Sequence, residues 1–274
     1  MPYIETNDHT RLFYQDWGTG QPVVFIHGWT LHAGMWEYQL SYLTGQGLRC
    51  VAYDRRGHGR SDQPGRGYDY DTLADDLAAL LERLDLRAVT LVAHSMGGGE
   101  IARYLTRHGA GRIARAVFLA AVAPFPLKTV DNSEGLDKSY FDATVAALCT
   151  DRPGWFAAGA PAYFGAEQPT AQVSDALMQD AVRMCRATPL PVAIACLRTL
   201  TETDLRPDLR TLTVPTVVIH GDADRSAPID MCGRRIAQLV PGCALTVYKG
   251  APHGLYVRIW HTFDGAGSDV AQDC

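Results

Sequence analysis

Six short stretches, residues 23–26, 49–53, 89–93, 116–121, 217–220 and 244–248, carry apolar residues at consecutive positions, many of them β-branched, and are bounded by Gly, Asp or Pro. A strand with one wet face alternates apolar and polar residues. Runs without alternation are buried on both faces, which predicts a parallel sheet between two layers of helix. Residues 3–6 and 11–17 read as a short hairpin ahead of the first run. Between the runs, Leu73, Leu77, Leu80, Leu81 and Leu84 recur at helical spacing, with Asp75, Asp76, Glu82 and Arg83 on the other face. Thr72 with Asp75 resembles an N-terminal capping box, and residues 35–43, 100–108 and 229–240 are further sheet-flanking helices. The alternation predicts an α/β protein with a mostly parallel, doubly wound sheet, whose sites form beyond the C-terminal ends of the strands.

From about residue 123 to 212 the alternation stops. Helices are predicted over 136–149, 170–186 and 191–201, with Trp155, Phe156, Tyr163 and Phe164 between them. This stretch reads as a helical cap inserted into a single domain spanning residues 1–274. A chain of 274 residues buries roughly 70–75% of its unfolded surface, so its core needs no staples. The net charge of −5 offers no broad attraction for phosphate backbones, and Arg55, Arg56, Arg60 and Arg66 form only a local cluster interrupted by Asp62. A nucleic-acid partner is not expected. Residues 1–10 hold Glu5 and Asp8 and no apolar stretch of the kind that directs export. The longest apolar run, 116–127, contains Pro124 and Pro126 and is too short to span a bilayer. Seven widely spaced cysteines with no C-x-x-C predict reduced thiols in a cytoplasmic protein and no metal site.

Residues 89–100 read as a strand, a tight turn with Ser95 at its apex, and a helix that begins at once. That is the context of a nucleophile elbow, in which small residues let strand and helix approach. Gly97 and Gly98 meet that need and Ala93 meets it less completely; taken alone, a serine here also reads as a helix cap. A serine hydroxyl needs a base, and the base an orienting carboxylate. Both follow in the order Ser, Asp, His: Val218-Ile-His-Gly-Asp-Ala-Asp224 leaves a buried run for a polar turn, and Pro252-His253-Gly254 follows the last run. Asp222 and Asp224 compete for the acid role. Asp224 lies further out along the turn, whereas Asp222 directly after Gly221 suits a local turn contact. Acyl transfer also develops an oxyanion, and each preorganised donor to it is worth ~3 kcal/mol. The backbone N–H groups of Met96 and Trp29 are the candidates, with Gly28 permitting close approach. Residues 54–61 read as a tightly hydrogen-bonded scaffold turn, and Glu100 as structural.

Five motifs, His27-Gly28-Trp29, residues 54–61, His94-Ser-Met-Gly-Gly98, Gly221-Asp-Ala-Asp224 and Ala251-Pro-His-Gly254, together resemble the α/β-hydrolase superfamily, in its bacterial cofactor-free haloperoxidase and arylesterase branch. The resemblance covers roughly residues 1–256. It implies the α/β-hydrolase fold, a triad of Ser95, Asp224 and His253, hydrolysis of small acyl or aryl esters, perhydrolysis in many relatives, and neither metal nor haem. Peroxide-using relatives commonly carry proline after the tryptophan; Thr30 stands there, which implies ester hydrolysis first and perhydrolysis second. Relatives close with an amphipathic helix, while residues 255–274 show no sustained apolar stripe, so this tail is expected to be atypical and is a candidate oligomer contact. Thr30, Phe125, Trp155 and Phe164 are the expected substrate-pocket residues. Two alternatives stand beside the esterase reading: lactone or lactam hydrolysis with the same triad, and a ligand-binding protein on the hydrolase shell.

Overall fold

A computed structural model describes residues 2–168 and 173–258. The chain opens with β1 (Tyr3–Glu5), β2 (Arg11–Trp17) and β3 (Pro22–Ile26), then a 3-10 turn and α1 (Glu37–Gly45). Next come β4 (Arg49–Tyr53), α2 (Tyr70–Arg83), β5 (Val89–His94), α3 (Gly97–His108) and β6 (Ile113–Leu119). Helices α4 (Lys138–Phe164), α5 (Asp175–Ala187), α6 (Leu190–Glu202) and α7 (Arg206–Arg210) lie between β6 and β7 (Thr216–Gly221). The described chain ends with α8 (Gly233–Leu239), β8 (Ala244–Tyr248) and a 3-10 turn over Leu255–Val257. The eight strands form one sheet in the order β1-β2-β4-β3-β5-β6-β7-β8. Pairings are parallel from β4 through β8, and antiparallel where β2 meets β1 and β4.

The pleat divides each buried run between two cores, because successive side chains point to opposite faces. Val24 and Ile26 join Leu73, Leu77, Leu80 and Ile101 on the α2–α3 side. Val23 and Phe25 join Trp36, Leu40, Leu43 and Tyr256 on the α1 side. Burial on both faces is what the unalternating runs required.

Several boundaries differ from those read off the sequence. β6 stops at Leu119 because Ala120 turns into the left-handed region at φ +44°. Asp69, not Thr72, caps α2: its extended backbone lets Oδ1 accept the Thr72 N–H at 2.9 Å. The stretch holding Trp155, Phe156, Tyr163 and Phe164 is helical and belongs to α4. The helix breaks at Asp151 (φ −149°, ψ 80°), whose Oδ1 accepts the Gly154 N–H at 2.9 Å and starts a second segment with Pro153 in its first turn. Of the tail 255–274, residues 255–258 are described, with Leu255 and Tyr256 buried; the rest lies outside the described residues. Among the described residues no helix is long and apolar enough to cross a membrane.

Candidate active site

The wholly buried strand β5 delivers its chain into Ser95, which sits at φ +54°. For a residue with a side chain this left-handed conformation costs about 1–3 kcal/mol, and neighbouring structure must hold it. The turn is held on both sides: the Ser95 N–H donates to Leu119 O at 3.1 Å, and the Val122 N–H donates to Ser95 O at 3.1 Å. A methyl group on Gly97 would lie 3.0 Å from Ile26 O, and one on Gly98 would lie 2.6 Å from Ala121 Cβ. Gly99 is equally constrained, since a methyl group there would enter the Tyr70 ring. Tyr70 in turn donates its hydroxyl to Met96 O at 3.0 Å. The sequence pointed to the first two glycines; nothing local marks the third, whose constraint comes from α2.

His253, on the loop after β8, meets both partners expected of it. Its Nδ1 lies 2.7 Å from Asp224 Oδ2, and its Nε2 lies 3.0 Å from Ser95 Oγ. An ionised carboxylate only accepts, so the proton sits on Nδ1 and Nε2 is left to accept from the Ser95 hydroxyl. Asp224 Oδ1 accepts the N–H groups of Ser226 and Ala227 at 2.9 and 2.7 Å. Burial alone would raise this carboxyl, but the His253 imidazole, the hydrogen bonds from His220 and His253, and the Ala227 N–H hold it well below the usual carboxylate range. Asp222 takes no part in this chain and accepts the Gly250 N–H at 2.6 Å.

Gly28 carries the β3 loop against the elbow; a methyl group there would lie 2.7 Å from His94 Nδ1 and 3.4 Å from Ser95 Cβ. The N–H groups of Trp29 and Met96 donate to no acceptor among the described residues. Met96 precedes the first turn of α3, where backbone N–H groups lack intrahelical partners. The Trp29 side chain points the other way, donating Nε1–H to Ala193 O at 2.8 Å and packing edge-on against Trp155 at 5.9 Å.

Behind this loop stands a buried network that sequence reading had divided into separate scaffold pieces. Arg55 Nη2 donates to His27 O at 2.7 Å, and the Arg55 N–H donates to His27 Nε2 at 2.9 Å. Arg55 Nε donates to Glu100 Oε1 at 2.7 Å, and Tyr53 donates its hydroxyl to Glu100 Oε2 at 2.8 Å. The 54–61 turn therefore ties the β3 loop to the helix that follows Ser95. The available signal was a carboxylate and an arginine amid apolar runs, with Glu100 one position before Ile101 on a helix whose buried face Ile101 and Leu105 define.

His94 performs a similar service for the His253 loop. Its Nε2–H donates to His253 O at 3.0 Å, and the two rings lie 4.8 Å apart. Burial pushes the rings of His94 and His58 down to about 3, from an ordinary value of 6.5. A depressed folded value means that the unfolded chain takes up the proton first. The stability contributed by each neutral ring is thus fully present above pH 6.5 and is lost as pH falls toward 3. At pH 4.5 each ring accounts for a loss of ~2–3 kcal/mol, so thermal unfolding midpoints measured from pH 7 to 4.5 should fall steeply. A midpoint constant over that range would contradict the buried, neutral assignment.

Of the pocket residues expected from the sequence, Trp155 is 37% exposed and presents an aromatic surface beside Trp29. Phe125 is buried, with Arg206 stacked over its ring at 5.3 Å. Among the described residues, Thr30 and Phe164 are closed off from solvent. Thr30 is fully buried at φ +60°, its hydroxyl donating to Trp29 O at 2.7 Å while Thr188 donates to its carbonyl at 3.0 Å. Phe164 packs beneath the His253 loop against Gly254 and Tyr256. Both were singled out for residue type and position; their orientation depends on α5, α6 and the chain after β8. No group of three or more His, Cys, Asp or Glu among the described residues is arranged to hold a metal ion.

A sheet of this topology, with a nucleophile-type elbow after β5 and an imidazole reaching it from the loop after β8, defines a class of α/β enzyme. The model of the alpha/beta hydrolase family matches residues 23–264, and the chain belongs to that family. It is 44% identical over 255 residues to a non-heme chloroperoxidase of Kitasatospora aureofaciens, covering 93% of each chain. It is 36% identical over 258 residues to a bifunctional esterase/perhydrolase of Acinetobacter calcoaceticus, covering 93% of this chain and 94% of that one. Among solved structures, an esterase from Exiguobacterium antarcticum superposes with a TM-score of 0.90 at 30% identity, covering 97% of each chain.

Proposed function

We propose that this protein is a cytoplasmic serine hydrolase that cleaves small acyl or aryl esters through an acyl-enzyme, with perhydrolysis as a secondary activity. The observation that carries the reading is the unbroken hydrogen-bonded line from Ser95 Oγ through His253 to Asp224. His253 Nε2 takes the hydroxyl proton as Ser95 Oγ attacks the ester carbonyl carbon. The N–H groups of Trp29 and Met96 meet the developing oxyanion. Collapse expels the alcohol, which leaves with the proton from His253, and the acyl group remains on Ser95. Water then gives a proton to His253 and attacks the acyl carbon, releasing the acid and restoring the Ser95 hydroxyl. Asp224 stays ionised throughout and stabilises the protonated ring.

Hydrogen peroxide in place of water at the second step yields a peracid, a stoichiometry supported by the relative named as an esterase/perhydrolase. The aromatic surface of Trp29, Trp155 and Phe156 favours compact apolar acyl or aryl groups. The unpaired cysteines among the described residues support action in a reducing compartment. A panel of short-chain nitrophenyl esters and phenyl acetate, assayed with and without peroxide, acetate and bromide, tests the reading. Ester turnover without peroxide is expected to exceed bromide oxidation. Bromide oxidation with no ester turnover would overturn it.

A further inference from the structure

The carboxylate of Asp224 receives a second imidazole. His220, on β7, is fully buried, and its Nε2 lies 3.3 Å from Asp224 Oδ2 and 2.7 Å from Ala227 O. Both neighbours only accept, so the proton is on Nε2; it is donated to Ala227 O, with Asp224 Oδ2 alongside. Asp224 Oδ1 accepts two backbone N–H groups, and at Oδ2 the His253 imidazole donates at 2.7 Å while the His220 Nε2–H lies 3.3 Å away. The other edge of His220 is unusual. Its Nδ1 is buried with no hydrogen-bond partner, and a methyl group on Gly233 would lie 2.7 Å from it, so the start of α8 packs directly on that edge. A buried nitrogen left unpaired carries a desolvation cost, which a leucine of similar size would not carry. The ring is therefore explained by its Nε2 edge, which faces the acid.

We propose that His220 is a positioning residue of this site: its Nε2–H fixes the orientation of the Asp224 carboxylate and withdraws part of the charge that Oδ2 presents to His253. The inference rests on the serine-hydrolase reading above. Other groups facing the acid are the Cys232 thiol, ahead of α8 and pushed up to about 12 by burial and by Asp224, with His94 from β5 and Tyr163 from α4 further off. Asp222 turns away to Gly250, and Arg225 pairs with Glu167 at the surface. His253 itself is flanked by His94 and Tyr163. None of these supplies a hydrogen bond to the carboxylate, so the Oδ2 charge is governed by the two imidazoles.

The test compares His220→Leu, which removes the donor, with His220→Gln, whose side-chain N–H reaches the same position. In the leucine variant Oδ2 has one imidazole donor, its charge toward His253 grows, and the protonated ring is favoured. The acid limb of the kcat/KM profile should then move to higher pH by about half a unit, with kcat reduced about tenfold and KM little changed. The glutamine variant should return the limb to the parent position. Independently of turnover, nitrogen NMR of the parent should show His220 protonated at Nε2, and the His253 Nδ1–H resonance should move downfield in the leucine variant. A parent ring protonated at Nδ1, or leucine and glutamine profiles that superimpose on each other, would overturn the assignment. Absence of ester turnover in the parent would instead defeat the hydrolase reading, while the NMR comparison still decides the role of His220.

Discussion

Replacing Ser95 by alanine is expected to lower kcat for ester hydrolysis by roughly a millionfold, the loss seen when the nucleophile of a serine triad is removed and only binding and oxyanion stabilisation remain. The size follows from the geometry. His253 Nε2 lies 3.0 Å from Ser95 Oγ, and in the proposed mechanism the N–H groups of Trp29 and Met96 stabilise the oxyanion that this oxygen's attack creates. Alanine retains the left-handed backbone cost at φ +54°, so its thermal midpoint should stay close to that of the parent, which separates lost chemistry from lost folding. A fluorophosphonate probe should add its mass to the Ser95 peptide of the parent and to no peptide of the variant. An adduct formed at full yield in the alanine protein would place the nucleophile elsewhere.

Glu100→Ala should be the most damaging single change to stability outside the hydrophobic core, at about 3–5 kcal/mol, because it leaves the Arg55 guanidinium buried without its counter-charge. Both side chains are at most 1% exposed, so water cannot take over the role of the lost carboxylate. For a chain of this length each kcal/mol moves the midpoint by about 2–4 °C, which sets the expected drop near 10 °C. Removing both charges, as in Arg55→Met with Glu100→Leu, should recover much of that loss, since two apolar groups leave no orphaned charge. Activity should not recover with it, because His27 O and the β3 loop have then lost the donor from Arg55. Calorimetry of the single and double variants checks the first part, and kcat of the double variant the second. A single variant within 2 °C of the parent would show that the pair is not held as charges.

The fold was legible wherever a local rule carried it. Unalternating apolar runs announced buried strands, and all six appear in the sheet, shifted by a few residues where a turn such as Ala120 ends them. The elbow was readable because strand, serine and glycines are adjacent in the chain. The break in α4 was harder: prolines and glycines near Trp155 argue against helix, yet Pro153 sits in a first turn, where a proline is tolerated. The candidate site was legible as an ordered set of motifs, Ser95, then Asp224, then His253, and its proposed oxyanion donors as loop backbones at Trp29 and Met96. Which aspartate faces the imidazole could be argued only by preference, since Asp222 and Asp224 are two residues apart on one turn.

Sequence alone determined the layered sheet, the position of the elbow and the chain order of the nucleophile, acid and base candidates, because each follows from neighbouring residues or from a periodicity. Tertiary structure decided which side chains meet: Gly99 under Tyr70, Arg55 between His27 and Glu100, His220 on the second donor face of Asp224, Thr30 and Phe164 turned into the core. Apart from His220 and Asp224, which are i,i+4 neighbours, those pairings join stretches up to 158 residues apart. They depend on strand register and on the angle at which each helix crosses the sheet, quantities set by the packing of the whole domain and not by any one segment.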